Sequence, residues 1–455
     1  MREQADGDQI EALREYRSGF YDCLTGWADA LFELTDALLA APGPVGSIPA
    51  LSLEPVFRRS HGSLYKALAR GVLDVERARE LQVRSRPADW PPVFAVDTSS
   101  WPRCDAETSP ERGFYHHPSR HSAGKPIVAG WNYSWIAQLN WSRDSWTAPV
   151  DITRIPPQDD TGQATADQVR NLVNRLRPAA GDPVPLFVFD AGYDPIALTV
   201  DLAEVRAQIA VRIRDDRVFY ADPPPREPGT KGRPPRHGLA FRLADPTTWP
   251  APDATHVAED PRYGRIQITA WHGLHPKLAR RGRWANTPRT PIVTGTVIRI
   301  EVEHLPKPTG RAKKTLWLWW TGPTGTTPDL DLSWRAYIHR FDIEHTLRFA
   351  KNTLGWTTPA LRTPEQADRW SWLILTSYTQ LRLARGLITD LRLPWERPRD
   401  PAKLTPTRVR RGFRRLTTTL GSPASPPKSH TPGPGRPQGT PRPPRTRCPA
   451  IKKAA

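Results

Sequence analysis

The runs VFAVD (93–97) and LFVFD (186–190) each close an unbroken apolar stretch with an aspartate, and a third carboxylate, Glu344, lies far downstream in YIHRFDIEHTLRFAK (337–351). Short apolar runs of this kind suit strands buried on both faces, so Asp97 and Asp190 are each expected at a strand end. A single strand-end aspartate is common at a βα loop. Three carboxylates from distant parts of a basic chain can do more, because together they could share two divalent cations. With all-oxygen ligands the suited ions are Mg2+ or Mn2+. Two such ions about 4 Å apart serve phosphoryl transfer on DNA, one activating the attacking oxygen and the other stabilising the leaving one.

The 337–351 segment needs its own explanation. At about 100° per residue, Tyr337, Arg340, Glu344 and Lys351 fall within an arc of roughly 60°, so on a continuous helix they make one stripe. Phe341 flanks it on one side and Ile343 and Leu347 on the other, which sets the polar groups at the rim of a core. A carboxylate between two cations beside apolar side chains is costly unless something uses it. A partly buried ion-pair helix capping a core accounts for the same residues.

The elements that must position these groups follow from texture. Residues 9–40 carry apolar residues at three and four spacing and end at APGP, and SLYKALARGVLDVERARELQ (63–82) is also helical. A helical N-terminal DNA-end-binding domain is expected over 1–88; it reads equally as a helix-turn-helix-like reader or a plain bundle. From residue 89 strands alternate with helices, with IVAGWNYSWIAQLNW (127–141) as strands of a hairpin, TADQVRNLVNRLR (165–177) and IALTVDLAEVRAQ (196–208) helical, and IAVRIR (209–214) a strand. That is an α/β sheet, its first part spanning 89–214. Residues 215–332 turn to Pro, Gly, Thr and Trp with short alternating runs, a β-rich insertion, and helices resume over 333–394. From 395 to 455 the chain is rich in Pro and Arg and has no acidic residue after Asp400, the composition of a disordered basic tail.

The 455 residues carry a formal charge of +18, and the pI is about 10.2. A chain this basic repels itself unless it meets a polyanion, by default nucleic acid. No run of 18 apolar residues is present and the N-terminus is charged without an apolar core, so neither a membrane span nor a signal peptide is expected. Cys23, Cys104 and Cys448 are far apart, which excludes a disulfide framework and a cysteine-based zinc finger. The expected location is cytoplasmic.

The spacing Tyr337, Arg340, Glu344, Lys351 matches the Y-x2-R-x3-E-x6-K signature of bacterial insertion-sequence DDE transposases of the cut-and-paste type. DAGYD (190–194) resembles the motif around that family's second acidic residue and VFAVDTSSW (93–101) its first, a likeness covering about residues 90–390. The resemblance implies an RNase H-like core interrupted by a β-rich insertion, with Asp97, Asp190 and Glu344 as catalytic, metal-binding triad. It implies that Tyr337 and Arg340 hold DNA phosphates near the element's end and that Lys351 contacts the strand close to the cut. The implied activity is binding of terminal inverted repeats, strand cleavage and transfer into target DNA, within a homodimeric synaptic complex associated with the nucleoid. Family members can also stack a Trp on a flipped base; Trp271, Trp317, Trp319 and Trp320 are the candidates, against core packing for each. Two other functions fit the residues: a noncatalytic DNA-binding derivative, and an RNase H-like nuclease that cuts without joining.

Lesser features complete the reading. KGRPPRHG (231–238) is a basic, proline-stiffened loop whose Lys231, Arg233 and Arg236 could bind phosphates, against a solvated linker. His116, His117 and His121 lie in a polar loop that could contact DNA or a metal and is otherwise solvated. His272 and His275 have no ligand partners at convincing spacing. Asp194 suits a helix N-cap.

Overall fold

Segments with apolar residues on every side must be covered on every side, and this decides how the chain is gathered. In a computed structural model describing residues 2–117, 126–142, 144–179, 181–226, 231–306, 314–428, 437–441 and 444–452, the chain opens with helices α1 (Arg2–Cys23), α2 (Ala28–Ala40), α3 (Ile48–Leu51), α4 (His61–Arg70) and α5 (Val75–Arg84), and with short strands β1 (Leu24–Gly26) and β2 (Val72–Leu73). Then come β3 (Val93–Pro102), β4 (Gly113–His116), β5 (Ile127–Gln138), β6 (Ala148–Ile155), α6 (Thr161–Leu176), β7 (Leu186–Phe189), α7 (Pro195–Asp201) and β8 (Gln208–Ile213). Strands β9 (Val218–Tyr220), β10 (Ala240–Arg242), β11 (Ala254–Asp260), β12 (Gly264–Pro276), β13 (Gly295–Val302) and β14 (Thr315–Thr321) precede helices α8 (Leu330–His339), α9 (Asp342–Asn352), α10 (Pro364–Leu383), α11 (Pro406–Phe413) and α12 (Thr417–Leu420).

Two compact units result. The first gathers residues 1–91, 97–160 and 342–455. Its centre is α2, buried from Ala30 to Ala40, packed against α10, α4 and α11. A buried Arg17–Asp36 pair at 2.7 Å ties α1 to α2, and the same guanidinium reaches Gln380 Oε1 on α10 at 2.8 Å. Strand β5 pairs antiparallel with β4 and β6. Trp101, Tyr133 and Trp135 surround Trp356, with ring centroids 5.0–6.3 Å from it. Beneath them Asp368 accepts from Tyr133 Oη at 2.8 Å and pairs with Arg154 at 3.1 Å.

Two expectations about this unit are corrected. The N-terminal helices do not form a domain bounded at residue 88, because α2 is closed by α10 and α11 from the far end of the sequence. Nor are residues 395–428 a structureless tail: Leu404, Val409 and Phe413 are fully buried, while residues 429–436, 442–443 and 453–455 of that stretch lie outside the described residues. Arg410 Nε donates to the Leu38 carbonyl and Nη1 to that of Gly43, both at 2.8 Å. Arginine stems supply apolar cover that a composition count misses, and their heads saturate carbonyls at the end of α2.

The second unit gathers residues 92–96 and 161–341. Val93, Phe94 and Ala95 of β3 pair in parallel with Leu186, Phe187 and Val188 of β7, and β7 pairs in parallel with β8. An antiparallel series then runs from β8 through β14, β13 and β12, with β11 and β9 also on β12 and β10 on β9. One core joins Ile196, Phe219, Phe241, Trp271, Val297 and Trp319. β3 itself crosses from this unit into the first between Val96 and Asp97.

Local expectations differ in three places. Residues 127–138 are one long strand rather than a hairpin, its partner being APVDITRI (148–155). The helix after Asp194 stops at Asp201. Residues 337–351 are not one helix: α8 ends at His339 and α9 begins at Asp342, with Arg340 and Phe341 in a turn between them. The four-residue stripe is thus divided, Tyr337 on α8, Arg340 in the turn, Glu344 and Lys351 on α9.

Candidate active site

In the first unit the site is built on α9. Ile343, Leu347 and Ala350 bury one face of this helix, and Thr346 fixes its rotation, its hydroxyl lying 2.8 Å from Thr147 Oγ1 and 3.2 Å from Tyr378 Oη. Glu344 and Lys351, two turns apart, therefore share a face. Glu344 is half-buried in the first turn, where the helix dipole favours a carboxylate. The Lys351 ammonium lies 5.8 Å from the centroid of a Trp356 ring. Burial pushes its pKa below the ordinary lysine value, and the charge of Asp97 opposes that shift. Asp97 and Lys351 are thus brought together. Asp97 is half-buried on β3, and its Oδ1 accepts the Thr98 N–H at 2.9 Å. A cavity of about 750 Å3 is bounded by Lys351, Asn352, Cys104, Asp105 and His117.

In the second unit Asp190 follows β7 directly. It is half-buried, and its Oδ1 accepts the Gly192 N–H at 2.8 Å. A Cβ on residue 192 would stand 3.0 Å from that same oxygen, so glycine leaves the carboxylate its place. Asp194 caps α7 as expected, accepting from Ile196 N at 2.9 Å and Ala197 N at 3.2 Å.

Tyr337 and Arg340 are 2% and 4% exposed. Among the described residues the Tyr337 hydroxyl has no hydrogen-bond partner, and the Arg340 guanidinium lies over the Phe341 ring at 4.8 Å. Lys231 and Arg233 are exposed, whereas Arg236 is half-buried and donates to the Thr290 carbonyl at 2.6 Å. The tryptophans resolve in favour of packing: Trp271, Trp317, Trp319 and Trp320 are at most 4% exposed, so a flipped base has no open indole to stack on there. His116 is exposed on β4, His117 is buried and lines the Lys351 cavity, and His121 lies outside the described residues.

Sequence reasoning passed over two features. His237 Nδ1 stands 3.0 Å from His275 Nε2, a pairing across 38 positions that no local spacing announces. The loop KLARRGRW (277–284) was legible as a basic run between strands, yet only the fold seats it against the chain that follows Asp190.

The carboxylates Asp97, Asp190 and Glu344 suit a hard divalent cation by donor type. For both aspartates one oxygen is oriented by a backbone N–H from within two residues, which fixes the carboxylate plane. Among the described residues no group of three or more His, Cys, Asp and Glu side chains stands ready-assembled for a metal, and no helix is long and apolar enough to cross a membrane. The family model described as DDE superfamily endonuclease matches residues 19–277, more than half of the chain, a span that includes Asp97 and Asp190 and stops short of Glu344. Comparison with curated proteins finds no match.

Proposed function

The chain belongs to the DDE superfamily endonucleases, and from that premise we propose that it is a DNA transposase, which binds the terminal repeats of its own element, cuts a strand at each end and joins the freed 3′-hydroxyls to target DNA. The observation that carries this reading is a register. β3 and β7 pair in parallel through Ala95 and Val188, and Asp97 and Asp190 each stand two residues beyond that pair.

Asp97, Asp190 and Glu344 would hold divalent metal, which supplies activation of the attacking oxygen and stabilisation of the leaving one. The remaining work belongs to the chain. The Thr98 and Gly192 amides orient the two aspartates, and Thr346 sets the angle at which α9 presents Glu344. Lys351, held against Trp356 beside Asp97, places a cation for a strand phosphate. Exposed Lys231 and Arg233 add backbone contacts that carry affinity without sequence preference. Tyr337 and Arg340, being buried, reach a phosphate only if α8 uncovers them.

The test is a magnesium-dependent cleavage and joining assay on duplex DNA carrying the element's flanking repeats, comparing the wild type with Asp190→Asn and Glu344→Gln. Each variant should lose joined product by about two orders of magnitude or more. Cleavage without joining in the wild type would convert the reading to a nuclease. Binding with neither activity would convert it to a noncatalytic DNA-binding derivative.

A further inference from the structure

We infer that the cleft beside Asp190 is a clamp for one unpaired DNA strand, with Arg214, Arg217, Lys277 and Arg281 as its phosphate contacts. The inference rests on the reading of the protein as a DNA strand-transfer enzyme and says how that site grips its substrate.

The cleft has a volume of about 640 Å3 and lies wholly in the second unit; its wall begins at Ala191 and Gly192, the two residues after Asp190. A strand held in it therefore leads directly to that carboxylate. A space of that volume is matched by a short run of single strand, whereas a duplex could lie only across its mouth. All four proposed cations are exposed side chains on its lining. Asp194 also lines the cleft, but its carboxylate is engaged by the N-terminus of α7. With Asp216 that makes two carboxylates on the wall against four proposed cations, so the balance stays positive.

The loop that carries Lys277 and Arg281 is also held in place. Arg283, in the same loop as Lys277 and Arg281, makes a two-pronged pair with Asp201 at the end of α7, at 2.9 and 2.6 Å. Its guanidinium covers Trp284 at 5.0 Å, and Trp284 packs against the core of the unit. The loop is thus pinned at both its charged and its aromatic residue, which lowers the ordering cost of binding. Arg214 and Arg217 bracket the turn between β8 and β9. The β8–β9 turn and the start of the β12–β13 connection, carried on the paired strands β9 and β12, therefore present cations to one space, an arrangement that suits a flexible phosphodiester chain.

The experiment uses the full chain carrying Arg217→Glu and Lys277→Glu together, both surface positions, with unchanged circular dichroism and melting as the control for folding. Binding of a short fluorescent single-stranded oligonucleotide is followed by anisotropy in EDTA over a salt series, so that no cleavage enters the readout. The variant should bind the single strand at least tenfold more weakly, with a salt slope shallower by about 1.4, two contacts at roughly 0.7 each. Its affinity for blunt duplex should change much less. Unchanged single-strand affinity overturns the clamp, and so does an equal loss on duplex. If the variant shows the expected loss while the wild type neither cuts nor joins DNA, the clamp stands and the transposase reading falls.

Discussion

Tyr337 carries a hydroxyl that is buried without a hydrogen-bond partner among the described residues. A group so placed forfeits about 1–3 kcal/mol of hydration. Tyr337→Phe is therefore expected to leave stability unchanged or raise it by about 1 kcal/mol in urea unfolding, whereas an ordinary core tyrosine would lose stability. If the same variant cleaves DNA more slowly, the hydroxyl acts on substrate rather than on the fold. The sequence made Tyr337 noticeable by its spacing from Arg340 and Glu344, but spacing assumes an unbroken helix. The turn at Arg340 and Phe341 removes that assumption, and no residue there is a helix breaker. Asp97, Asp190 and Asp194 were easier to place, because an apolar run ending in a carboxylate and an Asp-Pro pair opening a helix are strictly local signals.

At the scale of elements, α9 owes its rotation to the hydroxyls of Thr346, Thr147 and Tyr378. Thr346→Val deletes the central member, and we expect it to cost about 1–3 kcal/mol in urea unfolding and to slow cleavage through a displaced Glu344. Helix α11 gives the opposite lesson about legibility. Its proline and arginine content suggested an unfolded tail, but Val409 and Phe413 are spaced one turn apart, on one face. Phe413→Ala should destabilise the first unit by about 3–5 kcal/mol, read as a lowered denaturation midpoint. An unchanged midpoint would return the segment to the status of a tail. Composition averaged over 61 positions hid a short amphipathic helix that window-by-window periodicity would have exposed.

At the scale of the whole molecule, the first unit is assembled from three separated segments. Its boundaries were not legible because burial of α2 depends on α10 and α11, partners more than 300 positions away. The C-terminal part of this unit also predicts an acid response. Arg411 holds the Glu396 carboxyl down to about 2, helped by the Leu393 amide. An unperturbed glutamate titrates at about 4.3. Because the folded value is the lower one, this contribution is fully present above pH ~4.3 and fades as pH falls towards ~2. Acid unfolding of the wild type should therefore show a component in that window that Glu396→Gln lacks. The clasp of Arg410 on the end of α2 has a consequence in time as well. Chains leave the ribosome at roughly 5–20 residues per second, so α2 waits on the order of tens of seconds for its covering helices. Until then an apolar helix stands open to chaperones, and the unit bearing Asp97 and Glu344 stays unfinished.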